Sequence, residues 1–507
     1  MSKPQKIDIF EIPTWNGGMN RRDPIHALAQ NEVFHLSGYL CYPNSIRACG
    51  KETAGVTLNF TLRGLLNWNN ASFSERVIAT CDSRIFSVDS AFSATNITGA
   101  VAVTDGRFSG VAFNQYLFLC NGVDNVIKVS QALATSNPGF TGPGAGDLVF
   151  NQVWSYKGRL YFVERNSNTY WYGGLGFITG ATTAVPLDSF FQMPGKLLFG
   201  CEWTMNQGAS SESFCVLVST FGEVLIYSGD YPNSPNWYLV GRTKIQAPLD
   251  RRSYCKVGND VAVYTKSGIV FLSEAFAKAS NPSTLFTITD KISRVFERGW
   301  YPTTDTEGNI IADRESPFIY ARAGTDGGNT ITNGVFAQNI QTGAWSYLPI
   351  SSGGTNFITC MCHAFGYLVL GYSASGQINY IPKTSVLGMA RTVISEWYDF
   401  GNKLVKQIKA VRLVTANMSE GSNSSTQYKL TINADYFNLN DTAGANENKV
   451  TQTLSATTST GTDTILVTEF DNVGIMGKRF RFQISATDGG IDEIYKLEVD
   501  FENGGIL

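Results

Sequence analysis

A chain of 507 residues with 39 basic and 42 acidic side chains carries a formal net charge of −3. That balance excludes the global basic field of a sequence-reading nucleic-acid binder, though not a surface that DNA slides past. The composition, with 50 Gly, 32 Phe, 22 Tyr, 9 Trp and only 16% charged residues, is that of a β-rich chain poor in helix formers.

The length allows two or three domains and a large core. Residues 1–52 read as a lead-in that joins the repeat region. Trp15-Asn-Gly-Gly and Arg21-Arg22-Asp23-Pro24 open it as loops, and Ala27 to Ser37 fits a short helix, with Leu28, Val33, Phe34 and Leu36 loosely on one face. His26 and His35 lie here, beside apolar residues, and read as structural. The Met-Ser-Lys-Pro start has no signal-peptide pattern, and no apolar run reaches membrane-spanning length.

From residue 53 to about residue 390 one pattern recurs. Its clearest copy lies in Trp237 to Glu274, where Val261, Val263 and Thr265 alternate with Ala262 and Tyr264. Lys266-Ser267-Gly268 then turns the chain into Ile269 to Leu272. Alternation bounded by a glycine-containing turn is the sequence form of a β-hairpin. Aligned copies place Val77, Leu117, Leu160, Val216, Val261, Ile319 and Leu368 at equivalent positions, with spacings of 40, 43, 56, 45, 58 and 49 residues. Small antiparallel sheets at this period predict a β-propeller of about six or seven blades. A stack of β-sandwiches is the rival, but sandwich domains need about 100 residues each, and no doublet of that size precedes residue 390.

Two stretches interrupt the repeats. Asn137 to Gly146 is rich in glycine and proline and reads as a loop. Ser273 to Gly299 is the most helical region. Asp290 is placed to cap it, Ile292, Val295 and Phe296 share one face, and Gly299 stops it. Such a helix decorates an edge of the propeller, with its apolar face packed on the core.

Residues 391–507 change character. Ile408 to Val414, Tyr428 to Ala434, Thr464 to Thr468, Arg479 to Ser485 and Tyr495 to Phe501 alternate as strands, which predicts a β-sandwich-like domain. The whole chain is therefore expected to be all-β, a propeller followed by a sandwich. Arg479 and Arg481 share one strand face, read as a solvated surface rather than a carboxylate or phosphate site.

Motifs for chemistry are sparse. Three histidines and no Gly-x-Ser-x-Gly elbow give no serine triad. Gly324-Thr-Asp-Gly-Gly-Asn and Ala486-Thr-Asp-Gly-Gly-Ile-Asp-Glu lack the carboxylate alternation of a calcium loop. Nine cysteines, an odd number lying mostly in apolar runs, read as buried thiols. Cys360-Met-Cys362, beside His363, has no second pair to complete a zinc site. No catalytic, metal or cofactor residue is assigned, and a structural or binding role is expected.

Three stretches carry a resemblance. PNWYLVGRTKIQAPLDRRSYCKVGNDVAVYTKSGIVFLSEAF, FEIPTWNGGMNRRDPIHALAQNEVFHLSGYLCYPNSIRACG and the Trp397-Tyr-Asp-Phe-Gly entry to the last domain resemble nozzle proteins (tail tubular proteins B) of short-tailed bacteriophages, and packaged-DNA stabilisation proteins. The resemblance spans most of the chain through weak motifs. It implies a structural virion protein of the tail, a subunit of a ring commonly of six. The ring would sit below the portal and adaptor, extend the DNA channel, retain the genome and hold tail fibres or spikes. DNA would pass without sequence-specific binding, since strong Lys/Arg contact would hold it. Candidate gate loops carry Asn137, Gly139 and Gly142 in the repeat region, and Ser422 and Ser424 in the last domain. The alternative is a propeller adhesin that stacks sugars on Trp171, Tyr172 or Trp237, and a hydrolase of unrecognised type ranks third.

Overall fold

The structure, a computed structural model, describes residues 7–69, 74–141, 149–207, 210–277, 287–297, 302, 310–324, 334–350, 357–373, 375–382, 388–417, 426–435, 449–457, 465–471, 473–486 and 492–504. Among them almost every regular element is a strand. The helices are short: Leu272–Ala277, and a 3-10 turn Asp290–Ile292 that runs into Ser293–Glu297.

The repeats fold as a β-propeller. Seven small antiparallel sheets follow in chain order, six of four strands and one of three. The first spans Leu62 to Asn96, the second Ser109 to Ser136, the third Phe150 to Pro186 and the fourth Leu197 to Lys244. The fifth, of three strands, is Tyr254–Val257, Asp260–Thr265 and Gly268–Phe271. The sixth runs from Ile310 to Leu348 and the seventh from Ile358 to Ile381. The seven aligned positions, Val77 to Leu368, all fall in the second strand of their sheets. Among the described residues the propeller thus has six four-stranded blades and, at the fifth position, a three-stranded sheet followed by the Leu272–Ala277 helix, which packs against the core between the fourth and fifth sheets.

Each sheet buries both faces, which is why its strands read as nearly unbroken apolar runs. In Phe318–Arg322, Phe318 and Tyr320 enter the core shared with the seventh sheet, and Ile319 and Ala321 the core shared with the fifth. One apolar cluster lies between each neighbouring pair around the circle. The circle closes where Leu62, Val77 and Val88 of the first sheet meet Cys360, Val369 and Ile378 of the seventh. The seventh sheet takes its fourth strand, Thr53–Thr57, from the other end of the repeat region, so that Ile378 pairs with Val56. Closure by a strand distant in sequence removes the free ends of the ring.

Ala27 to Ser37 departs from its expected helix. Residues from Glu32 to Ser37 are a strand, buried along nearly its whole length. It pairs in parallel with the outer strand of the sixth sheet, Ser37 opposite Tyr347, and antiparallel with Arg391–Tyr398, Leu36 opposite Val393. A strand with sheet neighbours on both sides buries alternate residues on two faces. Val33, Phe34, His35 and Leu36 meet that demand, and tertiary pairing overrides a loose helical stripe. The strand makes the sixth blade continuous with the last domain, in one ten-stranded sheet.

The C-terminal sandwich faces that sheet with a second one. Its strands run in the order Ile465–Phe470, Lys406–Asn417, Asp492–Asn503, Ser45–Ala48 and Tyr39–Tyr42, with Asp8–Pro13 also paired to Asp492–Asn503. Alternate residues of the two sheets form one core: Ile12, Ile408, Val411, Leu413, Leu497 and Val499 against Val393, Leu430, Ile432, Phe480, Phe482 and Ile484. Residues 8–48 therefore serve the sandwich as well as the junction.

The helical segment also departs in detail. Thr289, not Asp290, stands at the cap position, without a side-chain capping bond. Asp290 instead pairs with Arg22. Ile292, Val295 and Phe296 are buried in the core shared with the junction, so this face packs inward as expected. Gly299 lies outside the described residues.

Candidate functional site

The inner strands of the sheets surround an axial channel, the place where propellers ordinarily hold ligands. Two adjoining cavities of about 280 and 670 Å³ occupy it, both lined by Leu65, Leu66, Tyr254, Cys255, Lys256 and Ile310. Their polar parts come from a few side chains.

Arg251 and Arg252 come from a tight turn that enters the fifth sheet. Asp250 and Ser253 set it: the Asp250 N–H donates to Ser253 Oγ at 3.1 Å, and Ser253 Oγ–H to the Asp250 carbonyl at 2.6 Å. From there Arg252 reaches the opposite side of the ring. Its Nη1 donates to the Phe108 carbonyl and its Nη2 to the Arg63 carbonyl, each at 3.0 Å. Arg251 donates to the Arg107 carbonyl and to Asn151 Oδ1. The two guanidinium groups thus tie the fifth sheet to the first, second and third. A Cβ on Gly64 would stand 2.9 Å from Arg252 Nη1, so glycine leaves room for the cation.

Gln152 does the same for the third, fourth and fifth sheets. Its Nε2 donates to the Gly200 carbonyl at 2.9 Å and to Tyr254 Oη at 3.0 Å, while its Oε1 accepts from the Gly200 N–H at 3.1 Å. Lys256 Nζ lies 3.0 Å from Glu202 across the fourth and fifth sheets. At the seventh, His363 Nε2 lies 3.1 Å from the buried Asp313 Oδ1, and Asn67 donates to the His363 carbonyl at 2.7 Å.

Charged donors directed at backbone carbonyls make the channel a set of cross-braces. The arginine pair was present in the sequence within Trp237 to Glu274 but had no motif. The only local signal is the Asp250-Arg-Arg-Ser253 turn placed directly before an inner strand.

The other sequence candidates are dispersed. Asn137 and Gly139 are exposed on the connection between the second and third sheets. Gly139 has a φ of +67°. Thr179 donates to the Pro138 carbonyl, and Phe140–Thr141 pairs in parallel with Gly180–Ala181. Phe140 packs against Phe162 at 5.0 Å between ring centres. This connection is fastened to the outer rim, away from the axial channel. Gly142, Ser422 and Ser424 lie outside the described residues.

Trp171 and Tyr172 are buried within their blade, so they offer no exposed platform for a sugar. Trp171 Nε1 donates to Glu164 at 3.0 Å. Trp237 is half-buried and stacks on Tyr227 at 5.3 Å. Cys360 and Cys362 are buried strand residues, and burial pushes the Cys360 thiol up to about 11. Among the described residues no group of three or more His, Cys, Asp or Glu gathers as a metal site. Arg481 lies over the Trp397 ring at 5.4 Å, on the sandwich face away from the core. Among the described residues no helix is long and apolar enough to cross a membrane.

No protein-family profile and no curated protein matches the chain. Solved structures similar to it include a streptogramin B lyase, at 11% identity and a TM-score of 0.39, covering 65% of this chain and 96% of that one. YCF48 from Cyanidioschyzon merolae is similar at 9% identity and a TM-score of 0.40, covering 66% of this chain and 99% of that one. A virginiamycin B lyase from Staphylococcus aureus is similar at 10% identity and a TM-score of 0.38, covering 66% and 98%. At such identity these likenesses extend to the propeller fold alone, which the strand topology itself establishes.

Proposed function

We propose that this chain is a structural subunit of a bacteriophage tail conduit, a nozzle ring that extends the DNA exit channel below the portal and adaptor. The observation that carries the reading beyond the sequence resemblance is the continuous ten-stranded sheet. A propeller joined to a sandwich by hydrogen-bonded strands moves as one body. A ring that holds pressurised DNA needs subunits that do not hinge. The braced axial channel fits the same reading. DNA would run along a passage enclosed by several copies, not through one propeller.

In this reading the partners are further copies of the chain, six in a ring by the resemblance, the portal–adaptor complex on one side, and fibres or spikes at the periphery. The test is the mass and symmetry of the purified protein by negative-stain microscopy, alone and mixed with a portal–adaptor complex. A closed ring that docks coaxially under the adaptor is the expected result. A monomer without affinity for the adaptor would remove the reading.

A further inference from the structure

We propose that a cleft at the outer rim, between the third and fourth blades, binds a short neutral saccharide. The inference goes beyond the conduit reading and does not depend on it. The cleft has a volume of about 310 Å³. Tyr170, Pro186, Phe190, Tyr227, Trp237 and Tyr238 line most of it, and among the described residues no charged side chain contributes to the lining.

Three observations point to a sugar. The first is a fixed aromatic platform. The Trp237 indole is stacked on Tyr227 at 5.3 Å with only 9° between the planes, and Tyr156 meets it edge-on at 6.0 Å. Held on these sides and partly exposed, the indole lines the cleft in a position set before any ligand arrives. The second is solvated aromatic area beside it, from Tyr238, 58% exposed, and Phe190, 37% exposed, which extends the aromatic lining into solvent. The third is polar capacity without charge. The Asn233 amide lines the cleft, and the largely exposed Tyr238 carries its phenol hydroxyl there.

A pyranose ring combines one apolar C–H face with hydroxyls at its edge. An aromatic floor with amide and phenol groups around it matches both parts, and a charge-free lining suits an uncharged ligand. Aromatic grooves also take proline-rich peptides. Such a peptide extends about 3.1 Å per residue and needs a long groove, whereas this cleft is compact.

The experiment titrates the full-length protein with chitotriose, maltotriose and a galactose disaccharide, followed by tryptophan fluorescence and calorimetry. Deca-proline serves as the competing probe. Saturable binding of at least one saccharide is expected, weakened about tenfold or more in Tyr238→Ala and in Trp237→Ala. Tyr238 is largely exposed, so its variant should melt like the parent and keeps the test valid should the Trp237 variant fold poorly. The proposal is overturned by no saturation with any saccharide up to about 10 mM. It is equally overturned by binding that Tyr238→Ala and Trp237→Phe leave unchanged, or by deca-proline binding where the saccharides do not.

Discussion

Arg391 Nη2 stands 2.7 Å from Asp492 Oδ1, with the two side chains 0% and 5% exposed. The pair bridges the two sheets of the sandwich, and the Arg391 guanidinium lies 6.0 Å from the Tyr428 ring centre. Two charges in so closed a space are costly to separate. Removing one leaves the other's charge buried without its opposite, a loss of about 3–5 kcal/mol. Asp492→Ala should therefore lower stability by that order in urea denaturation. Arg391→Met combined with Asp492→Leu should lose much less. Additive losses in the double variant would show that the two charges do not act as a pair.

The junction strand makes a second prediction. Because Glu32–Ser37 belongs to the ladder of both bodies, propeller and sandwich should unfold together. Leu36→Ala, in a fully buried position, should cost about 2–5 kcal/mol and shift one transition seen alike by calorimetry and by fluorescence. Two separate transitions, of which only the sandwich responds, would mean that the shared sheet does not couple the bodies.

This strand also marks where the sequence stopped being readable. The seven repeat positions were legible because each blade buries both faces and advertises it locally, as Phe318 to Arg322 does. Ala27 to Ser37 contains a loose helical stripe, and two of its strand partners, Trp345–Leu348 and Arg391–Tyr398, lie more than 300 residues away. Nothing within the segment reveals them. The pairing of Asp8–Pro13 with Asp492–Asn503 was hidden for the same reason. The axial braces were hidden because Arg252, and Arg251 in part, act through backbone carbonyls, which leave no mark on the partner residue types. The rim cleft was half legible: Trp237 stood out as an aromatic, while Trp171 and Tyr172 looked equivalent until folding buried them.

The axial braces give a third prediction. Arg252 makes two charge-assisted bonds to carbonyls of other sheets, each worth about 1.5–3 kcal/mol when the donor is charged. Part of this is lost to water at a half-exposed site. Arg252→Ala should destabilise the protein by about 2 kcal/mol. Arg252→Lys should recover little, since an ammonium cannot span two carbonyls with a planar fork. Full rescue by lysine would show that charge alone matters there.

A fourth concerns pH at the junction. Burial, then the nearby Glu32 and Asp399 carboxylates, push the Glu396 carboxyl up to about 7 from an ordinary 4.5. The folded protein keeps this proton where the unfolded chain has lost it. Stability should therefore fall as pH rises from about 4.5 to about 7 and level off above. Burial also pushes Asp492 up to about 6 against the pull of Arg391, which adds a slope of the same sign. Glu396→Gln isolates the first contribution. It should gain about 1–3 kcal/mol over the parent between those limits. Parallel curves for parent and variant would show that Glu396 titrates normally.

The most direct measurement is negative-stain microscopy of the purified protein with and without a portal–adaptor complex. The conduit account predicts a closed ring, with an axial passage between subunits, seated coaxially on the adaptor. Single propeller–sandwich particles that stay monomeric and ignore the adaptor would contradict it.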